Sequence, residues 1–89
     1  MGVTCGPDQP AVHQLLESAR VRTGLSVEEL WTECVALGAN ASIDELEAIL
    51  NGTRSPSARE YDFIAHSLNE RMVELGFDDP VPYAEDVGL

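Results

Sequence analysis

Three copies of one short pattern constrain the fold of this chain more than any other feature of its sequence. In each copy a serine is followed three residues later by a glutamate: Ser26 with Glu29, Ser42 with Glu45, and Ser57 with Glu60. This spacing is the capping box, in which the serine side chain accepts the N–H of the third helical residue and the glutamate accepts the N–H of the serine. The sequence therefore predicts that a helix starts at each of these serines.

The helix that follows Ser42 is the segment around which the rest of the chain is expected to be arranged. Leu46, Ile49 and Leu50 recur at helical spacing, and Asn51-Gly52 supplies the left-handed residue that ends a helix. One face of this helix is therefore apolar. Its other face carries Ile43, Asp44, Glu45, Glu47 and Ala48.

Apolar periodicity predicts three further helices. The first runs from Pro10 to Thr23, the second from Ser26 to near Gly38, and the last from Ser57 to Gly76. Asn69 could divide the last helix in two, but we expect one continuous helix. No stretch alternates apolar and polar residues, so no sheet is predicted. The fold class is accordingly all-α, a compact bundle of four to five helices.

The 89 residues are enough for one domain with a single modest core. We expect residues 1–9 to be a flexible leader, residues 10–76 to be the helical domain, and residues 77–89 to be an extended acidic tail or arm, since Pro80 and Pro82 oppose a helix there. Two interpretations of this tail stay open. It is disordered, or its apolar residues bind a second subunit or a partner.

Several classes of function are disfavoured by what the sequence lacks. No apolar run approaches the roughly 18 residues of a membrane span, and the N-terminus does not match a secretory signal, so we expect a cytoplasmic protein with no membrane partner. Cys5 and Cys34 are not at a metal-type spacing. No catalytic or phosphate-loop motif is present. We therefore expect no metal, no cofactor and no enzymatic activity.

Charge is the strongest compositional signal. The formal net charge is −11, and residues 26–50 hold six acids and no base. Duplex DNA carries one negative charge per ~1.7 Å of its axis, so a surface of the same sign is repelled unless arginines cluster on one face.

Three motifs in order resemble those of one family. The run from Arg20 to Leu30, RVRTGLSVEEL, is similar to the "R…G-L-S-x-E-E-L" entry of lambda-repressor-type helix-turn-helix domains, the xenobiotic-response-element family. The run from Ser42 to Pro56 resembles their recognition helix followed by "N-G-x-x-x-P", and Ile64-Ala65 with Leu68 resembles their "I-A-x-x-L". The resemblance covers about residues 12 to 75.

This resemblance implies a lambda-repressor-like bundle that binds double-stranded DNA as a homodimer across two half-sites. The helix from Ser42 would lie in the major groove. Positions that would face bases are Ile43, Asp44, Glu45, Glu47 and Ala48. Positions that would contact phosphates are Arg20, Arg22, Asn51, Arg54 and Arg59.

Two features depart from the family pattern. Trp31 stands where a small residue usually follows the "E-E-L" leucine, and the second helix is expected to be about one turn longer before the recognition helix begins. A tryptophan cannot enter a tight helix crossing unless one helix moves. Trp31 is interpreted as a core anchor, with a ligand-binding aromatic as the alternative.

The acidic helix leaves a second function open, in which the same fold acts as a protein-interaction module, a DNA mimic or an adaptor, that binds a basic transcription or nucleoid protein. Asp44, Glu45 and Glu47 either form the face for that partner or complement the helix dipole, with Glu45 closing the cap. Arg54 and Arg59 either contact phosphates or pair with nearby acids such as Glu60 and Asp62.

Overall fold

The computed structural model describes residues 12–77 and 80–88, which form four α-helices and one 3-10 turn. The helices are α1 (Val12–Thr23), α2 (Val27–Ala36), α3 (Ile43–Asn51) and α4 (Ala58–Leu75), and the 3-10 turn is Ala84–Val87. The described residues contain no strand, so the all-helical prediction is confirmed. The expected leader and the expected helix start at Pro10 lie outside the described residues.

All three predicted capping boxes are present, at the starts of α2, α3 and α4. Their six hydrogen bonds are 2.8 to 3.2 Å long. Each serine cap stabilises its helix by about 1 kcal/mol relative to alanine. Gly52 and Gly76 follow α3 and α4 with φ of 83° and 82°, the left-handed conformation predicted for the helix ends.

The core lies where α1 and α2 each pack against both α3 and α4. Its fully buried side chains include Leu16, Leu30, Ile49, Tyr61 and Leu68, one or two from each helix. Every described helix therefore contributes its apolar face to one core. No helix among the described residues is long and apolar enough to cross a membrane.

Three large apolar residues near the ends of α2 and α4 are exposed: Val35 by 43%, Leu37 by 38% and Leu75 by 48%. Val35 lies about 100° around α2 from the buried Cys34 and so faces solvent. Leu37 is the C-cap of α2, and Leu75 is the last residue of α4. These positions lie at the ends or edges of their helices, where no helix within the described ranges 12–77 and 80–88 covers them.

Residues 37–42 form the connection between α2 and α3. The α2 helix ends at Ala36, within two residues of the end predicted near Gly38. The Trp31 indole Nε1 donates to the Ala41 carbonyl at 2.9 Å, and the Ala39 N–H donates to the Cys34 carbonyl at 3.0 Å. Trp31 is partly buried against the core, and it holds the connection in place.

The C-terminal segment packs against α4. Among the described residues 80–88, residues 80–83 have no regular secondary structure and Ala84–Val87 form the 3-10 turn. Val81 and Ala84 are 6% and 3% exposed. The Asn69 side chain both accepts from the Val81 N–H at 2.6 Å and donates to the Val81 carbonyl at 3.0 Å. Asn69 therefore does not divide α4, which is continuous, but anchors the segment that follows it.

Candidate interaction surface on the third helix

The outward face of α3 presents three polar side chains in a row. Asp44, Glu47 and Asn51 are all exposed, and their spacing of three and four residues makes them neighbours on the helix surface. We call these three residues the α3 ridge. Leu46, Ile49 and Leu50 are buried on the opposite side, as the apolar pattern predicted.

Of the five residues expected on the recognition face, two lie on the α3 ridge and three do not. Ile43, Glu45 and Ala48 are partly buried. Glu45 closes the cap, because one of its carboxylate oxygens accepts the Ser42 N–H at 2.8 Å. Its other oxygen lies 4.0 Å from the Arg54 guanidinium, so the side chain is directed away from the ridge.

Arg54 follows α3 and is bound to acids of its own chain. Its Nη2 donates to the Glu60 carboxylate at 3.0 Å, and the same nitrogen lies 4.0 Å from Glu45. The hydrogen bond to Glu60 raises the pKa of the Arg54 guanidinium above the ordinary value for arginine. The sequence left two interpretations of Arg54 open, contact with phosphates or pairing with a nearby acid. Pairing with Glu60 is the one that agrees with its contacts in the structure.

Arg20 is likewise engaged within the fold. Its guanidinium makes two hydrogen bonds to Glu17, at 2.8 and 2.6 Å, and one to the Leu25 carbonyl at 2.7 Å. Its side chain is only 19% exposed. Arg20 therefore joins the end of α1 to the turn that precedes α2.

The remaining three arginines lie on different parts of the surface. Arg22 lies over the ring of Phe77 at 5.4 Å, and Arg59 over the ring of Phe63 at 5.5 Å. Arg71 pairs with an acid one turn later on α4. Arg59 and Arg71 are twelve residues apart on α4, about 18 Å along its axis, which exceeds the Debye length of ~8 Å at physiological salt. Arg59 and Arg71 therefore do not belong to one basic face.

The pKa values of the carboxyl groups follow from local hydrogen bonds. The backbone N–H at the α4 cap, and then Arg54, lower the pKa of Glu60, and Arg20 lowers that of Glu17. Burial raises the pKa of the Cys34 thiol, which opposes formation of a nucleophilic thiolate. The described residues contain no group of three or more side chains that could hold a metal ion. Of these groups, Glu60 stabilises a helix end, because it accepts the Ser57 N–H at 2.9 Å.

Two structural contacts went unnoticed in the sequence. Arg59 and Phe63 are four residues apart on one helix, a spacing that could have indicated their contact. The contact of Asn69 with Val81 has no such local signal.

Comparisons with protein-family models, curated proteins and solved structures found no match for this chain.

Proposed function

We propose that this chain is a protein-interaction module with a lambda-repressor-type helix-turn-helix fold, and that the α3 ridge binds a basic surface of a partner protein. The observation that carries this proposal is the charge of the exposed side of α3. Asp44 and Glu47 are exposed there, whereas the nearby Arg54 is bound by Glu60. A partner rich in lysine and arginine complements this surface. A transcription or nucleoid protein fits that description.

The same charges disfavour DNA as the partner. A helix in the major groove lies between two rows of phosphates, and a carboxylate 4 Å from a phosphate is repelled by about 1 kcal/mol even in water. Proteins that bind DNA well neutralise several phosphates with lysine or arginine. This chain has no lysine, and Arg20 and Arg54 already bind its own carboxylates.

DNA binding as a homodimeric transcriptional regulator is the second candidate. It is favoured by the order and packing of the helices, since α2 and α3 are consecutive, contact each other and leave the outer side of α3 exposed. Asn51 is exposed at the end of that side. This candidate requires an affinity for duplex DNA that falls steeply with added salt.

The first proposal is tested with a defined basic probe. A fluorescently labelled peptide that alternates lysine with alanine is titrated with the full chain, and its anisotropy is measured at 50 mM salt. Because any basic peptide is attracted to a protein of net charge −11, the test compares two double variants. One is Asp44→Lys with Glu47→Lys, and the control is Glu70→Lys with Glu74→Lys on the far end of α4.

Each reversal changes the charge by +2, so both double variants have the same net charge of −7 in place of −11. Their long-range attraction for the peptide is therefore matched. The α3 variant is expected to lose at least ten-fold in affinity and the α4 control less than three-fold. Equal losses in the two variants would refute a specific α3 surface. Salt-dependent binding of a labelled duplex by the unmodified chain would instead support the second candidate.

A further inference from the structure

The C-terminal segment is bound to α4 through its backbone groups. The Asn69 amide accepts from the Val81 N–H at 2.6 Å and donates to the Val81 carbonyl at 3.0 Å. The Tyr61 hydroxyl donates to the Pro82 carbonyl at 2.8 Å. Peptide-binding sites gain affinity from main-chain hydrogen bonds of this kind, which any segment that presents the same groups can make.

Two buried side chains of the segment complete its attachment. Val81 and Ala84 are 6% and 3% exposed, and the Ala84 N–H donates to the Asp62 carboxylate at 2.8 Å. Backbone hydrogen bonds together with pockets for a few side chains are the two parts of a peptide site. We call the surface of α4 that makes these hydrogen bonds, formed by Tyr61, Asp62 and Asn69, the Asn69 groove.

The segment does not fill the space beside Val81. An open cavity of about 410 Å³ lies there, between the segment, α1 and α4. Its lining includes Leu15, which is partly buried, and Ala19 and Met72, which are 4% and 1% exposed. A side chain longer than valine at this position would bury more apolar surface. Val81 is therefore not the best-fitting residue for its own position.

The charge of the segment also opposes its attachment. Burial raises the pKa of the Tyr61 hydroxyl, and the carboxylates of Asp62 and Asp86 raise it further. Asp86 of the segment and Asp62 of α4 therefore act on the same hydroxyl, and two like charges near one group repel each other. The whole chain has a net charge of −11. A basic residue at the position of Asp86 would replace this repulsion by attraction.

We propose that the Asn69 groove binds a proline-containing segment of a partner protein. The partner segment has leucine or isoleucine before the proline, alanine two residues after it, and lysine or arginine two residues after the alanine. The C-terminal segment of this chain occupies the same groove as a weaker ligand, and the partner segment displaces it. This site is separate from the α3 ridge and does not depend on the function proposed for it.

Competition within the chain sets the affinity that can be measured. The native segment is tethered to its groove, so it competes at an effective concentration on the order of 1 mM. A free peptide of the native sequence therefore binds weakly. A peptide with better contacts, or a chain whose own segment is weakened, should bind measurably.

The test titrates the full chain with a fluorescein-labelled peptide that copies residues 80–89 but has leucine at the position of Val81 and lysine at the position of Asp86. It is compared with the native peptide and with a scrambled peptide of the same composition. The substituted peptide should bind about ten-fold more tightly than the native one, because one methylene contributes about four-fold and the pairing with Asp62 roughly three-fold. The scrambled peptide, which has the same attraction to the acidic chain, should bind about ten-fold more weakly than the substituted one.

Variants of the full chain separate the groove from other acidic surfaces. Val81→Asp weakens the attachment of the native segment, so it should raise the affinity for the substituted peptide by about ten-fold. In that background Asn69→Ala should lower the affinity by about ten-fold or more, because the peptide loses two hydrogen bonds. Glu70→Ala, an exposed neighbour on the same helix, is the matched control and should leave it unchanged. Far-UV circular dichroism checks that each variant is folded.

NMR of the unmodified chain gives a second measurement that needs no variant. At saturation with the substituted peptide, the backbone amides of Val81 and Ala84 should move to the shifts of an unstructured peptide. The proposal is overturned if those amides stay in place while the peptide binds, if the substituted and scrambled peptides bind equally, or if Asn69→Ala and Glu70→Ala have equal effects. If neither peptide binds and the unmodified chain sediments as a dimer at about 1 mM, the groove accepts the segment of a second copy, and the partner proposed here is rejected.

Discussion

Replacement of Asn69 by alanine tests how the C-terminal segment is attached to the bundle. The Asn69 amide makes two hydrogen bonds to the backbone of Val81, at 2.6 and 3.0 Å, and Val81 is 6% exposed. Three further hydrogen bonds join this segment to α4: from the Tyr61 hydroxyl to the Pro82 carbonyl at 2.8 Å, from the Ala84 N–H to an α4 carboxylate at 2.8 Å, and between the Tyr83 hydroxyl and His66 Nδ1 at 3.4 Å. Asn69→Ala removes two of these five bonds.

The expected cost follows from these contacts. Each hydrogen bond contributes about 1 kcal/mol, and the Val81 groups lose their only side-chain partner, so the gross loss is about 2 kcal/mol. Alanine has a higher helix propensity than asparagine, and this difference offsets about 0.6 kcal/mol of the lost stability. The net destabilisation is therefore about 1.5 kcal/mol. In a domain of this size it lowers the Tm by roughly 6 to 12 °C.

Urea unfolding followed by circular dichroism at 222 nm measures this loss. With a slope of about 1 kcal/mol/M, the midpoint should fall by about 1.5 M. The control is Glu70→Ala, which removes an exposed neighbour on the same helix and should change the stability by less than 0.5 kcal/mol. If Asn69→Ala were as stable as that control, the segment would not be held by this amide and the reasoning would be refuted.

Two further predictions concern helix ends. Gly52→Ala should lower the free energy of unfolding by about 2 kcal/mol and Gly76→Ala by about 1 kcal/mol. Both glycines have φ near +80°, but only at Gly52 would the new Cβ lie 2.9 Å from the His13 ring. Equal losses of stability in urea unfolding would contradict this. The pKa of Glu60, measured by carboxyl-carbon NMR, should lie below its ordinary value of 4.5. Arg54→Ala should reverse only part of this lowering, because the hydrogen bond from the cap N–H is the larger cause. Since its folded pKa is depressed, the stabilisation by Glu60 is present above about pH 4.5 and is lost as the pH falls through the folded value. An unchanged pKa in Arg54→Ala would argue against the ion pair.

The sequence predicted those parts of the fold that depend on neighbouring residues. A capping box is decided by two side chains three residues apart, which is why the starts at Ser26, Ser42 and Ser57 were all correct. Glycine after an apolar helix face marked the ends of α3 and α4 for the same reason. The buried faces followed from helical periodicity.

Contacts between distant parts of the chain could not be predicted in this way. Asn69 reaches a residue twelve positions later, and nothing near Asn69 indicates that partner. The end of α2 at Ala36 lies within two residues of the end predicted near Gly38, but the hydrogen bond from Trp31 to the Ala41 carbonyl, ten positions later, had no local signal. The partners of the arginines also depend on packing, as the pairing of Arg54 with Glu60 across a turn illustrates.

The most direct test of the account is to locate the bound peptide by NMR. In ¹H–¹⁵N spectra of the full chain titrated with the lysine–alanine peptide, the largest shifts are expected at the backbone amides of Asp44, Glu47 and Asn51. The amides of α4 beyond Asn69 should shift least. Shifts that are spread evenly over the acidic surface, or that centre on the C-terminal segment, would contradict the claim that the outer side of α3 is the binding surface.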